Sequence, residues 1–249
     1  MIAGLRLAFF ASFLIPLAGC AAKPVFLDTA DHFPVAYELK RAPAAKGTVL
    51  LLHGLGTNLD EWYTFGKALR RDGWTTMAVD LRGHGESTYA GKEEIRWTEM
   101  NAEGRRSSFH DVEAAVRHLK VHVPEAEQNL WIIGSSFGSS LALVYAAAHS
   151  DIRGAVLLSP GLVYGDIQTE ESARKFDSPV LLAAAEDDFG AVREAGDLFG
   201  WIPSKNKKLL TRPKGGHGAQ MLDEAEDLKK EILEWLNQES SKTRKITSA

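Results

Sequence analysis

Short runs of uninterrupted apolar residues, each followed by a segment of helical periodicity, recur along most of this chain. Residues 48–53, 75–80, 130–134, 155–159, 180–185 and 208–211 read as strands. Residues 60–71, 106–121 and 222–236 read as helices. Trp62, Phe65 and Leu69 share one face, Val112, Ala115, Val116 and Leu119 another, and Leu228, Ile232 and Trp235 a third. Residues 25–27 and 35–39 read as a leading hairpin. Strands that are apolar throughout must be covered on both faces, and strands separated by helices run parallel. The pattern therefore predicts an α/β chain with a mostly parallel central sheet of about eight strands and helices on both faces. In such sheets chemistry collects beyond the carboxyl ends of the strands.

The 249 residues are enough for one large domain, expected over 25–237, with a polar tail at 238–249. A formal net charge of −4 gives no electrostatic case for a nucleic-acid partner. The first residues read differently. Arg6 precedes the apolar run from Leu7 to Ile15, which is too brief to span a bilayer comfortably, so residues 1–19 read as a secretory signal. Its end, Leu17-Ala18-Gly19-Cys20, resembles the lipobox of bacterial lipoproteins. That resemblance implies a lipid on Cys20, a tether at 20–24, and a membrane as partner at the bacterial cell envelope. Ala21 carries no inner-membrane retention signal on the rule known for such proteins, which favours the outer membrane. Cys20 is the only cysteine, so no disulfide within the chain can compete for it.

Gly134-Ser135-Ser136-Phe137-Gly138 lies where the strand 130–134 gives way to a helical pattern in Leu141, Leu143, Val144 and Tyr145. A Gly-x-Ser-x-Gly match at a strand-to-helix turn predicts a strained elbow. It would hold the Ser136 hydroxyl clear of the backbone at a helix N-terminus. A hydroxyl needs a base, and the base needs a carboxylate. Past Ser136 there are two histidines. His149 ends the helix that Ser136 begins, which leaves His217, in Gly215-Gly216-His217-Gly218, as the candidate base. The acid belongs after strand 180–185, where Glu186, Asp187 and Asp188 stand in a row, and spacing alone does not choose among them. For an oxyanion, the backbone N–H groups of Phe137 and of Leu55, in His53-Gly54-Leu55-Gly56, are the candidate donors. His53 lies upstream of the serine and reads as a loop brace. This chemistry needs no metal and no cofactor.

Together with Asp80-Leu81-Arg82-Gly83-His84-Gly85-Glu86-Ser87, these motifs resemble the α/β-hydrolase-fold serine hydrolases of the esterase and lipase type. The resemblance covers nearly all of the chain after the signal. It implies ester hydrolysis through an acyl-enzyme, a structural role for His84, and Asp188 as the acid, with Asp187 in reserve and Glu186 at the strand end. In that family the acid closes a Gly-x-x-Asp turn; here Ala185 stands in place of the glycine. Many relatives carry a cap domain before the acid-bearing strand. Residues 159–179 leave room for about one short helix, at 167–176, so a minimal cap is expected. Epoxide hydrolases and haloalkane dehalogenases of this fold use an aspartate nucleophile, which Ser136 disfavours.

The segment 81–105 is long for a connection, and Tyr89, Trp97 and Met100 are candidate walls of an acyl pocket. Leu162, Val163 and Tyr164, after the sixth strand, are further ones. The substrate expected is a small-molecule or lipid ester, with thioesters and amides open. The alternative is a non-catalytic binding or scaffold lipoprotein on the same fold, because a fold does not by itself establish an activity.

Overall fold

The computed structural model describes residues 23–242. The predicted signal at 1–19, Cys20 and the first part of the tether lie outside the described residues, as does the end of the tail at 243–249.

Eight strands form one sheet: β1 (Val25–Asp28), β2 (Pro34–Lys40), β3 (Gly47–Leu52), β4 (Trp74–Val79), β5 (Leu130–Ser135), β6 (Gly154–Leu158), β7 (Val180–Ala185) and β8 (Lys207–Arg212). Their order is β1-β2-β4-β3-β5-β6-β7-β8. From β4 to β8 neighbouring strands pair in parallel, while β1 and β2 form an antiparallel hairpin that joins the sheet antiparallel to β4. This is the architecture the apolar runs demanded.

Alternate residues of one strand enter different cores. Leu50 and Leu52 of β3, Ile132 of β5 and Leu157 of β6 face a cluster with Val112, Ala115 and Leu119 from helix α2 (Ala102–His122) and Leu141 from α3 (Phe137–Ala148). Val49, Leu51, Trp131, Ile133 and Val156 face the opposite side. There they meet Phe65 and Leu69 of α1 (Tyr63–Arg71), and Leu228, Ile232 and Trp235 near the C-terminus. Two helical layers therefore clamp the sheet, and every residue of β3, β4, β5, β6 and β7 is buried.

Between β6 and β7 stand a small hairpin, Val163–Tyr164 with Ile167–Gln168, and helix α4 (Glu170–Lys175). The cap is thus minimal, but the expected helix at 167–176 is shorter than predicted because its first residues pair as strand. Three further departures have local causes. Helix α5 (Ala191–Trp201) escaped the periodicity reading, since Gly196 and Gly200 lower its helix propensity. The single helix expected at 222–236 is broken at Ala225 (φ −125°, ψ 92°) into Met221–Glu224 and α6 (Glu226–Ser241). The tail expected after Asn237 is helical to Ser241. Arg153 Nη2 donates to the carbonyls of Glu239 and Lys242, at 2.6 Å each, and satisfies helix-end acceptors that a frayed tail would leave to water.

Candidate active site

The Ser136 backbone sits at φ 51°, ψ −113°, a region that non-glycine residues rarely occupy. Strand β5 enters this residue and α3 leaves it. The turn closes only because its flanks lack side chains: a Cβ on Gly134 would lie 2.2 Å from the Gly138 carbonyl oxygen, and one on Gly138 would lie 2.2 Å from the Leu52 carbonyl oxygen. The Ser136 amide is tied to the Leu158 carbonyl of β6 at 2.8 Å, which anchors the strained residue from the neighbouring strand.

His217 comes from the loop after β8, and Asp188 from the turn after β7. The Ser136 hydroxyl lies 2.7 Å from His217 Nε2, and His217 Nδ1 lies 2.8 Å from Asp188 Oδ2. A carboxylate only accepts, so Nδ1–H donates to Asp188 and Nε2 is left as the acceptor for the Ser136 hydroxyl proton. The Asp188 side chain is 12% exposed and the His217 ring 56% exposed. Asp187 does something else. Its carboxylate accepts from the amides of Gly216 at 3.0 Å and Gly215 at 3.3 Å, so it braces the loop that carries His217. Glu186 is exposed at the strand end, its amide bonded to the Arg212 carbonyl.

The N–H of Phe137 opens α3, where no helical carbonyl can satisfy it. The loop after β3 abuts the elbow, since a Cβ on Gly54 would sit 3.4 Å from Ser136 Cβ. Leu55 follows on that loop. His53 is fully buried; its Nε2 accepts from the Leu81 amide at 3.0 Å, and its Nδ1 bonds the Gly54 carbonyl at 2.7 Å. Burial drives its pKa down to about 3, with His84 adding to the effect. His53 is therefore a neutral brace between two loops, as is His84. Nδ1 of His84 lies 3.0 Å from the Arg82 carbonyl, and burial lowers its pKa as well.

Of the expected pocket residues, Tyr164 packs its ring 5.3 Å from that of Phe137, beside the elbow. Leu162 packs against the core, and its amide donates to Glu194 at 2.9 Å. Trp97 stacks on His84 and lies against Gly56, where it walls a cavity of about 350 Å³ shared with Thr57, Asn58 and Arg96. Most residues sharing that cavity with Trp97 are polar. Tyr89 is 53% exposed on a two-stranded hairpin with Glu93–Glu94 and does not form a buried wall.

The sequence reading passed over three polar side chains beneath the site. Ser159, at φ 45°, accepts from the Gly218 amide at 2.8 Å. Ser135 accepts from the Ala219 amide at 2.9 Å and donates to Glu61 at 3.1 Å. Glu61 also accepts from the Gly54 amide at 2.9 Å. No local pattern marks any of them.

Residues 47–173 match the family model described as alpha/beta hydrolase fold. Over 117 residues the chain is 31% identical to 2-succinyl-6-hydroxy-2,4-cyclohexadiene-1-carboxylate synthase of Serratia proteamaculans (strain 568), covering 47% of this chain and 38% of that protein. It is 26% identical to human monoacylglycerol lipase ABHD6, over 54% of this chain and 36% of the lipase. The chain thus spans less than two fifths of the length of these two relatives. The Pyrococcus furiosus esterase Pf2001 shares the fold with a TM-score of 0.71 at 20% identity, over 87% of this chain and 91% of the esterase.

Proposed function

We propose, from the premise that this chain belongs to the α/β-hydrolase fold family, that it is a serine hydrolase cleaving carboxylic esters through an acyl-enzyme on Ser136. The observation that carries this reading is the unbroken line from Ser136 Oγ to His217 Nε2 at 2.7 Å and from His217 Nδ1 to Asp188 at 2.8 Å. Ser136 Oγ attacks the ester carbonyl carbon while His217 Nε2 takes its proton. Asp188 holds the ring in the accepting tautomer and stabilises the imidazolium. The amides of Leu55 and Phe137 receive the developing oxyanion. The leaving alcohol departs with the proton from His217, and a water activated by the same histidine frees the acid.

An acyl chain is favoured by Tyr164 beside the elbow and by the apolar side chains of the two loops that follow β6 and β7. Tyr164 and Leu162 are half-buried, and Val163 and Phe189 are exposed at 58% and 104%. Phe189 directly follows Asp188. Similarity to monoacylglycerol lipases supports single-chain lipid esters as the substrate class.

A fluorophosphonate probe is expected to label the folded protein, with labelling lost in Ser136→Ala. Folded wild-type protein that fails to react would overturn the reading in favour of a binding protein. Turnover of ester, thioester and amide substrates of matched acyl length separates the three chemistries. The lipobox-like sequence Leu17-Ala18-Gly19-Cys20 supports envelope anchoring through a lipid on Cys20. Cys20→Ala should then shift the protein from the detergent to the aqueous phase, and unchanged partitioning would remove the anchor from the proposal.

A further inference from the structure

Glu61 lies in the one-turn helix Leu59–Trp62 that follows the loop after β3, and it takes no part in the reaction sequence above. Its hydrogen bonds join the three segments that reaction uses. One carboxylate oxygen accepts the Gly54 amide at 2.9 Å, on the loop that carries Leu55. The other accepts the hydroxyl proton of Ser135 at 3.1 Å, inside the elbow. Ser135 Oγ in turn accepts the Ala219 amide at 2.9 Å, two residues past His217. Directions along this chain are fixed at both ends, because an amide can only donate. The Ser135 hydroxyl donates to Glu61, which accepts at both oxygens. Gly218 makes the approach possible: a Cβ there would lie 2.3 Å from Ser135 Oγ.

We propose that Glu61 is a positioning residue of the hydrolytic site, holding the oxyanion loop, the elbow and the His217 loop in register. The proposal rests on the serine-hydrolase reading. Burial raises the carboxyl pKa, against which the Gly54 and Ser135 hydrogen bonds and the facing His217 act in the opposite direction. The other charged groups around this cluster are Asp188 on the His217 ring, Asp187 on the Gly215 and Gly216 amides, and Asp80, which accepts the Leu59 amide on the same short helix. His53, on the neighbouring loop, is neutral. Asp188 touches the ring directly and Asp187 reaches only backbone, so Glu61 is the carboxylate that ties the His217 loop to the oxyanion loop, by way of Ser135.

One consequence differs from those of a purely architectural residue. Loss of Glu61 misplaces the oxyanion donor and lowers kcat with little change in KM, because that donor acts in the transition state.

The experiment uses the full chain and compares kcat and KM for wild type, Glu61→Gln and Glu61→Asp on p-nitrophenyl butyrate. Circular dichroism confirms folding, and fluorophosphonate labelling confirms Ser136. Glu61→Gln should lower kcat about 10- to 100-fold with little change in KM. Glu61→Asp, which keeps both acceptor oxygens on a shorter stem, should lower kcat by less than Glu61→Gln, again with little change in KM. Should Glu61→Gln fail to fold, Ser135→Ala, which cuts the same chain one link further on, is expected to lower kcat without raising KM. A folded Glu61→Gln with wild-type kcat overturns the proposal, and so does a loss of kcat/KM carried by KM alone. A wild-type protein that neither turns over ester nor labels would instead overturn the hydrolase reading itself.

Discussion

The loops beyond β3 and β4 and those beyond β7 and β8 both carry histidine and carboxylate at the same end of the sheet, yet they use them in opposite ways. On the first side the histidines are enclosed. His53 and His84 are buried with lowered pKa values, and each ring spends Nδ1 on backbone carbonyl. Arg82 is forked onto Asp111 at 2.8 and 2.9 Å and onto Asp31 at 2.7 and 3.0 Å. On the second side His217 is 56% exposed, and its two nitrogens face a carboxylate and a serine hydroxyl instead of the main chain. A histidine that gives Nδ1 to a backbone carbonyl and whose charged form is expelled by burial cannot cycle a proton. One that is half in water and backed by a carboxylate can. The same residue types thus serve stability on one side and chemistry on the other, and desolvation draws the line between them.

The largest effects expected fall on the open side and separate two adjacent acids. Asp188→Asn should lower kcat about 10⁴-fold, because the amide no longer fixes the His217 tautomer. Asp187→Asn should cost about tenfold, since it loosens a loop and leaves the ring's partner in place. Equal losses in steady-state assays would erase the division of labour between them. On the closed side, Arg82→Leu strands the fully buried Asp111 without its cation and should cost about 3–5 kcal/mol, or about 6–20 °C in Tm. The double variant Arg82→Met/Asp111→Leu should recover much of that loss by calorimetry, and no recovery would mean that the charge itself is not what is being stranded.

A smaller effect concerns pH. The neutral form of His53 is favoured in the folded state, so its contribution to stability is complete above pH 6.5. It is lost as pH falls toward about 3, at a rate of at most about 1.4 kcal/mol per pH unit. Thermal melts across that window should fall less steeply in His53→Gln than in wild type, and parallel curves would contradict a neutral buried His53. Smallest of all, Tyr164→Ala should alter the ratio of kcat/KM between long and short acyl esters by about 10-fold or less. An unchanged profile would remove Tyr164 from the acyl path.

Legibility followed the range of the interaction. β3, β5, β6 and β7 could be found because their residues are apolar on both faces, and α2 because Val112, Ala115, Val116 and Leu119 keep the helical period. α5 could not, because Gly196 and Gly200 interrupt the signal that its buried residues Ala191, Ala195 and Leu198 would give. The expected break after Asn237 failed for a different reason: Arg153, 86 residues before Glu239, holds that helix end. Ser136 and His217 were named from motif context and chain order. Leu162, Trp97 and Tyr89 are apolar or aromatic residues in long loops, and their burial is set by tertiary packing, which no local pattern carries.

What the sequence determined by itself is therefore periodic or contiguous: the alternation of strand and helix, and the Gly-Ser-Ser-Phe-Gly elbow, whose two glycines are required by backbone approaches of 2.2 Å. What residue spacing left open and the tertiary structure decided is which of two neighbouring aspartates faces His217, and that Glu61 joins three loops. Asp187 and Asp188 have the same chemistry and differ by one residue of a tight turn, so their roles follow from the direction in which each side chain leaves the backbone. Glu61 meets Ser135 across 74 residues of chain. Pairings of that separation are set by how strands register and how loops pack above them, and no local pattern of residues encodes them.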